Sequence, residues 1–499
     1  MKRWKVLSTL LVAFALVAAA CGDDDDTTTG PPETVTVTSI VEVEVPGETV
    51  TSIVEVEVPG ETVTEVVPGE TITFWSTETQ PARLEITKGI IDEFTAATGI
   101  GVKLVATDEG ALPSLMVANA ASGTLPDVVF HPIDFTIGWA AEGLLDTAAS
   151  AAVVGSLGAD TFSQGALDLA TFQGNIAAVP SDGWGQLLVY RKDLFDAAGL
   201  AAPDTFANIE TAAKALNDPG NNFFGITAAT DGGAVFTQQT FEHFALANGC
   251  QLTDGTSVTL NSSNCVEAID FFTSLMGEYS PGGIQDVVST RAAYFAGQAG
   301  MIVWSPFILD EMAGLRDSAF PACTECGADS AYLAKNSGIV PSFSGPSGSP
   351  AQYGQISYMG IGTGANVPAA QAFIEFWLGD GYLDWLSTSV EGKFPMRRGT
   401  ASNPTEFIDG WKALETGVDR KAPLSDFYGD EVITQLIEGS ANFDRWGFAQ
   451  GQGRLVSAVY SSLPVPEALR DVLDGRFDAS QAAEEIQAAT EEELALLSE

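Results

Sequence analysis

From residue 70 onward the apolar residues change period repeatedly, and each change marks an element. Residues 70–75, ETITFW, alternate polar and apolar, which predicts a half-buried strand. The polar loop STETQ follows, and then Leu84, Ile86, Ile90, Ile91 and Phe94 recur at helical spacing until Gly99. GVKLVA at 101–106 reads as a second strand, 112–121 as a helix, and PDVVFH at 126–131 as a third strand. Strand, helix, strand, helix, strand is the order of an α/β domain on a mostly parallel sheet. Ligands sit beyond the carboxyl ends of such strands, so residues 76–80, 107–109 and 131–134 fall at one edge. Ser76, Glu78, Gln80, His131 and Asp134 are the hydrogen-bonding candidates there. Near the C-terminus, residues 456–494 read as helices broken at Asp-Gly and Asp-Ala-Ser. Ser480 is the expected start of the last one, with Glu484 and Glu485 in its first turns.

The first seventy residues follow other rules. Lys2, Arg3 and Lys5 precede an almost wholly apolar run, and alanines 18 to 20 precede Cys21. This is the layout of an export signal, too short to span a bilayer comfortably. A cysteine directly after the small residues resembles the lipobox of bacterial lipoproteins. That resemblance implies cleavage before Cys21 and a lipid on its thiol. Beyond an acidic run at 23–26, TVTSIVEVEVPGE occupies 36–48, recurs unchanged at 49–61 and returns shortened at 62–70. Val/Thr alternation favours extended backbone, Pro-Gly punctuates it, and no aromatic residue is present to bury. The segment reads as a disordered spacer or a small β stalk, without catalytic chemistry. Fully extended, residues 22–70 would reach on the order of 160 Å.

Charge narrows the partners. The 499 residues hold 66 Asp and Glu against 22 Lys and Arg, a formal net charge of −44, which repels nucleic acid and anionic lipid. It also disfavours an anionic ligand unless a few Arg converge. Four cysteines follow Cys21, and in an exported chain disulfides are the default. Sequence proximity alone pairs Cys250 with Cys265 and Cys323 with Cys326. CTEC could otherwise be a redox or zinc half-site. However, the chain has only His131 and His243 and no second CxxC, so neither a metal nor another cofactor is expected.

The order of segments resembles the extracellular solute-binding proteins of bacterial ABC importers, in the large group with maltose-type members. IIDEFTAATGIGVKL, LPDVVFHPIDFTIGWAAEGLLDTA, VPSDGWGQLLVYRKDLFDAAGLAAPDTFANIETAAKAL, AAYFAGQAGMIVWSPF and QISYMGIGTGANVPAAQAFIEFWL carry the likeness, through order and spacing. It implies two α/β lobes of periplasmic-binding-protein type, joined by crossing hinge strands, with the ligand in the cleft between them. On this reading residues 1–20 are the signal, 21–70 the tether and 71–499 the binding domain. One lobe covers roughly 71–182 plus a later return segment, the other roughly 186–300 plus the C-terminal helices. By position the resemblance places Asp134 where the family hydrogen-bonds sugar hydroxyls, and Phe307 and Trp446 at or near ring-stacking aromatics. Trp184 stands in the first crossing strand where maltose-type members carry an acid, a departure from their pattern. Trp304 and Tyr358 lie near the other crossings and Arg397 by a late turn.

The chemistry leads to a similar ligand class. A sugar offers hydroxyls at its rim and C–H groups on its faces, so aromatic rings with Asp, Glu, Gln or Arg suit it. The expected protein is a monomeric, lipid-anchored receptor outside the membrane that hands a mono- or oligosaccharide to ABC permease subunits. A cationic ligand such as a polyamine is the alternative, since carboxylates and aromatic faces would serve it too. From other classes stand a glycoside hydrolase, for which 66 acids give no discriminating signal, and a stalked adhesin, which would need no second lobe.

Overall fold

A computed structural model describes residues 70–440 and 443–497, with the backbone of two short strands at Val43–Val45 and Glu48–Val50. Those two strands pair antiparallel, Val43 opposite Val50, in a unit separate from Val66–Glu499. The expected export signal, Cys21 and the remainder of the repeats lie outside the described residues.

The alternating stretch becomes β1 (Thr71–Ser76), and the helix-period run becomes α1 (Pro81–Thr98). Pro81 suits the first helical position because its missing N–H would have no partner there. Gly99 stops the helix in the left-handed region, at φ 77°, and its N–H bonds Thr95 O. The buried stripe Thr87, Ile90, Ile91 and Phe94 faces inward. Next come β2 (Gly101–Ala106), α2 (Leu112–Ser122), β3 (Val128–Pro132) and α3 (Ile133–Ala141).

The chain then crosses between two sheets. β4 (Val179–Gly185) belongs to the first sheet, and β5 (Leu187–Arg191) to a second. Gln186, between them, donates its backbone N–H to Tyr353 O at 3.0 Å. The second lobe carries α4 (Phe206–Leu216), α5 (Val235–Ala247), α6 (Ser263–Tyr279), β6 (Met301–Trp304), α7 (Ile308–Met312) and β7 (Ser337–Val340). β8 (Gln352–Ile361) returns to the first sheet, followed by α8 (Val367–Trp377) and β9 (Phe394–Pro395). The first sheet runs β9-β4-β8-β3-β1-β2, with β10 (Phe443–Asp444) also on β8; the second runs β6-β5-β7.

Two expectations need correction. The first sheet is parallel through β1, β2 and β3 and again where β10 joins β8, but β8, returning from the other lobe, pairs antiparallel with both β3 and β4, and β9 pairs antiparallel with β4. The last helix is capped two residues earlier than Ser480. Asp478 caps it, accepting from Gln481 N–H while the Gln481 side chain returns to Asp478 N–H.

Phe74, Phe94, Phe373 and Trp377 meet edge to face at 5.1–5.2 Å, locking α1 and α8 onto β1. α9 (Gly453–Ser462) packs on α3 of the first lobe, while α10 (Pro464–Leu473) and α11 (Ala479–Leu496) pack on α6 of the second. The C-terminal helices therefore strap the lobes together behind the crossing strands. The Cys250–Cys265 and Cys323–Cys326 sulfurs lie at disulfide distance, in the pairing that proximity suggested.

Candidate functional site

The loops beyond β1 and β3 and the crossing strands converge where the lobes meet. Trp184, near the end of β4, keeps part of its indole accessible, as does Phe307 just before α7. Their rings meet edge to face at 6.3 Å, and Tyr353 of β8 tilts against Trp184 at 6.0 Å. This pair reaches from a crossing strand to the second lobe. Gly392 of the first lobe completes the contact, since any Cβ there would run into the Phe307 ring.

Polar groups from the first lobe line the same region. Ser76 is buried, and its hydroxyl accepts the Glu78 N–H at 3.2 Å. Glu78 holds Lys393 Nζ at 2.8 Å and Arg83 Nη1 at 2.9 Å. Burial alone would raise the Glu78 carboxyl, but these two cations overcome it and hold it down at about 2. Lys393 also lies 3.6 Å from Asp182 and 3.9 Å from the centre of the Trp385 ring. Glu109 moves the other way. Crowding by protein, then the charges of Asp134, Glu78 and Asp108, push it up to about 7, although its side chain still meets solvent at the mouth.

Asp134 sits in a different arrangement. Its two oxygens accept from Arg445 Nη2 at 2.7 Å and Gln355 Nε2 at 2.5 Å. Arg445 is wholly buried and also reaches Glu242 of α5 at 3.1 Å and Gln355 Oε1 at 2.6 Å. Tyr460 closes the network with a 2.6 Å bond to Glu242. One guanidinium thus joins α3 of the first lobe, α5 of the second, and the crossing strand β8.

The remaining sequence candidates are distributed as follows. Gln80 is exposed at the start of α1. His131 is buried against Trp139, its Nδ1 bonded to Pro132 O at 3.0 Å, and burial lowers it to about 4. Tyr358 is buried with its hydroxyl on Ala166 O. Trp446 is buried with its indole N–H on Cys250 O. Trp304 is buried beside Phe236, and Arg397 directs its guanidinium at the carbonyls of Leu378 and Leu157. These five are packing groups, so the structure gathers Ser76, Glu78, Asp134, Trp184 and Phe307 and separates the rest. His131, Trp304 and Tyr358 sit on β3, β6 and β8, strands covered on both faces, so their rings meet protein whichever side they take.

Arg445, Lys393, Glu242, Tyr353 and Gln355 escaped sequence reasoning. The available signal was scarcity: with only 22 Lys and Arg, a single Arg inside the aromatic run FDRWGF invites a buried role. A cavity of about 630 Å³ lies elsewhere, between α4 and α6, walled by Glu210, Glu267, Asp270 and Glu278 around Phe206 and Phe271. No buried orphan polar group points into it, and acids are what this surface supplies everywhere. Among the described residues no group of three or more His, Cys, Asp or Glu is arranged to hold a metal, and no helix is long and apolar enough to cross a membrane.

Two α/β lobes, crossing strands and a lobe-junction site with aromatic and hydrogen-bonding walls define a two-lobed solute-binding protein. The chain belongs to the bacterial extracellular solute-binding protein family, whose profile matches residues 79–383. It is 27% identical over 402 residues, 78% of this chain and 87% of the relative, to Escherichia coli K12 YcjN, described as an ABC transporter periplasmic-binding protein. Maltose-bound MalE3 of T. maritima has a similar fold, with TM-score 0.63, 18% identity and coverage of 85% of this chain and 99% of the other. The tagatose-bound solute-binding protein of Thermotoga lettingae matches at TM-score 0.62 and 19% identity, covering 85% and 100%. Lmo0181 of Listeria monocytogenes, in complex with cycloalternan, gives 0.63 and 16%, covering 85% and 99%. This chain is accordingly an ABC solute-binding protein, in a family of binding proteins rather than enzymes, which implies a small-molecule ligand and a permease partner.

Proposed function

We propose that the protein captures a mono- or oligosaccharide in the cleft at Trp184 and Phe307 and delivers it to an ABC permease. It does so as a monomer tethered to the outer face of the membrane by a lipid on Cys21. The observation carrying this reading is the half-accessible Trp184–Phe307 pair beside the carboxylates of Glu109, Glu78 and Asp134. Aromatic faces cover sugar C–H surfaces, and carboxylates accept hydroxyl protons. Support comes from solved relatives in complex with maltose, tagatose and cycloalternan. Closing the lobes on the ligand would give the permease a distinct surface to recognise, through a shift of population.

A thermal-shift screen of the protein against sugars, polyamines and amino acids tests this, since a ligand that binds only the folded state raises its Tm. The expected result is a rise with one sugar class that disappears in Trp184→Ala and in Phe307→Ala. A rise with polyamines alone would replace the carbohydrate with a cationic ligand held by the same carboxylates. Release of reducing ends from oligosaccharides would instead identify a glycoside hydrolase.

A further inference from the structure

A second polar cluster lies at the lobe junction, linked to the Glu78 group through Arg83, whose Nη2 donates to the Ser389 hydroxyl at 3.0 Å. α7 of the second lobe carries Asp310 and Glu311, 1% and 3% exposed, and the Val390–Gly392 turn of the first lobe presents Glu391, 2% exposed. Arg316 lies 3.2 Å from Asp310 and 3.9 Å from both Glu311 and Glu391, while Arg291 bonds Glu311 at 2.7 Å. Ser389 and Thr416 donate their hydroxyls to the two oxygens of Glu391. Tyr428 faces the cluster from the remaining side, with its hydroxyl on Leu309 O at 2.6 Å, and Tyr294 lies near it.

The donor inventory falls short. Asp310 Oδ1 and Glu311 Oε2 are buried and have no hydrogen-bond partner. Three carboxylates against two guanidiniums would also leave one net negative charge away from water when all are ionised, which is costly. One proton removes the surplus charge and turns one of the two bare acceptors into a donor. A cavity of about 150 Å³, lined by Arg83, Arg316, Glu391, Thr416 and the exposed Lys421, gives solvent access to the cluster.

We propose that this junction is a proton-operated latch: uptake of one proton by the Asp310 and Glu311 pair of α7, beside Glu391 of the first lobe, holds the lobes in the arrangement described here, and its release lets them part. The direction of titration agrees. Burial first, then the Glu391 charge, pushes Asp310 up to about 7. Burial likewise raises Glu311 to about 7 against the pull of Arg291 and Arg316. A carboxyl raised in the joined state stabilises that state at low pH and loses the contribution as pH climbs through its raised value. For one carboxyl moving from about 4 to about 7, opening becomes about 30-fold easier between about pH 5.5 and about pH 8.5. The latch is independent of which ligand the cleft takes.

Amide hydrogen exchange of the unliganded full chain at those two pH values, corrected for the intrinsic pH dependence, tests the latch. Residues 305–316 and 387–395 should exchange far faster in the alkaline sample. In Asp310→Asn/Glu311→Gln, where neutral side chains replace the protonated pair, protection should be equal at both pH values. Should that double variant fail to fold, Glu391→Gln, which removes the surplus charge, should abolish the pH dependence in the same segments. Equal protection in the unaltered protein at both pH values overturns the proposal, and so does an unchanged pH response in whichever variant folds.

Discussion

Arg445 offers the sharpest test of how the two lobes are joined. Arg445→Met keeps much of the apolar stem and removes the guanidinium that reaches Glu242, Asp134 and Gln355. The loss is smaller than three independent charged hydrogen bonds. Glu242 would keep the Trp446 N–H at 2.8 Å and the Tyr460 hydroxyl at 2.6 Å, and Gln355 Oε1 would keep the Tyr353 hydroxyl at 3.1 Å. What remains uncompensated is one oxygen of Asp134 and the buried charge of Glu242. Removing one partner of a buried pair costs about 3–5 kcal/mol, and the surviving donors put this site near the lower end, about 3 kcal/mol. Urea unfolding with an unchanged m-value reads the loss directly. Arg445→Met/Glu242→Gln should recover part of it, because the second change removes the stranded charge. In the single variant Glu242 is more easily protonated, so the deficit should shrink as pH falls. A loss below about 1 kcal/mol, or a double variant no better than the single one, would refute the view that this guanidinium pins the lobes.

Two further outcomes follow from local geometry. Because Glu78 is held at about 2 instead of 4.5, its ion pairs contribute about 3 kcal/mol above pH 4.5, and this is lost as pH falls toward 2. Glu78→Gln should therefore lower stability at neutral pH and flatten the acid limb of the Tm-against-pH curve; an unaltered acid limb would contradict the assignment. A Cβ on Gly225 would collide with the backbone carbonyl of Ala213 in α4, whereas one on Gly282 meets nothing within 4 Å. Gly225→Ala should cost about 2–3 kcal/mol in urea unfolding and Gly282→Ala should be nearly neutral.

The sequence made the first lobe's opening elements readable because period alone separates β1, α1 and β2, and Gly99 marks the stop. It could not reveal that β8 enters the sheet antiparallel to its neighbours β3 and β4, since direction depends on where the chain has been, not on local pattern. The candidate site shows the same boundary. Trp184 could be singled out because it sits near a strand end beside small residues, but Trp304 shares that neighbourhood and is buried, and Phe307 is reached only through the position the resemblance gives it. Tyr358 and Trp446 resembled them in type and neighbourhood, yet one residue's difference in pleat or turn sends each ring into the core. Arg397 illustrates a further limit. An Arg near a turn advertises an anion, but buried backbone carbonyls are equally good acceptors, and only packing distinguishes the two.

Asp134 is a candidate whose side chain already has partners within the protein. Its place after β3 points toward the cleft, but both oxygens already accept from Arg445 and Gln355. A carboxylate oxygen has more than one lone-pair direction, so a ligand hydroxyl could still be accepted without breaking the network. It would then bind a group that is also fastened to Glu242 in the other lobe. Any ligand contact to Asp134 would therefore be felt at the lobe connection through rigid, buried hydrogen bonds. Glu109, still open to solvent at the mouth, has no such fastening and is free to adapt to the ligand. On the proposed reading, the cleft would combine a fixed acceptor tied to the hinge with an exposed, unfastened one at the entrance. That division predicts that Glu109→Gln should change ligand preference and, by removing a carboxylate crowded by Asp134, Glu78 and Asp108, should raise stability above about pH 7 instead of lowering it. Asp134→Asn should lower the Tm of the unliganded protein as well, because it strips a charge from Arg445.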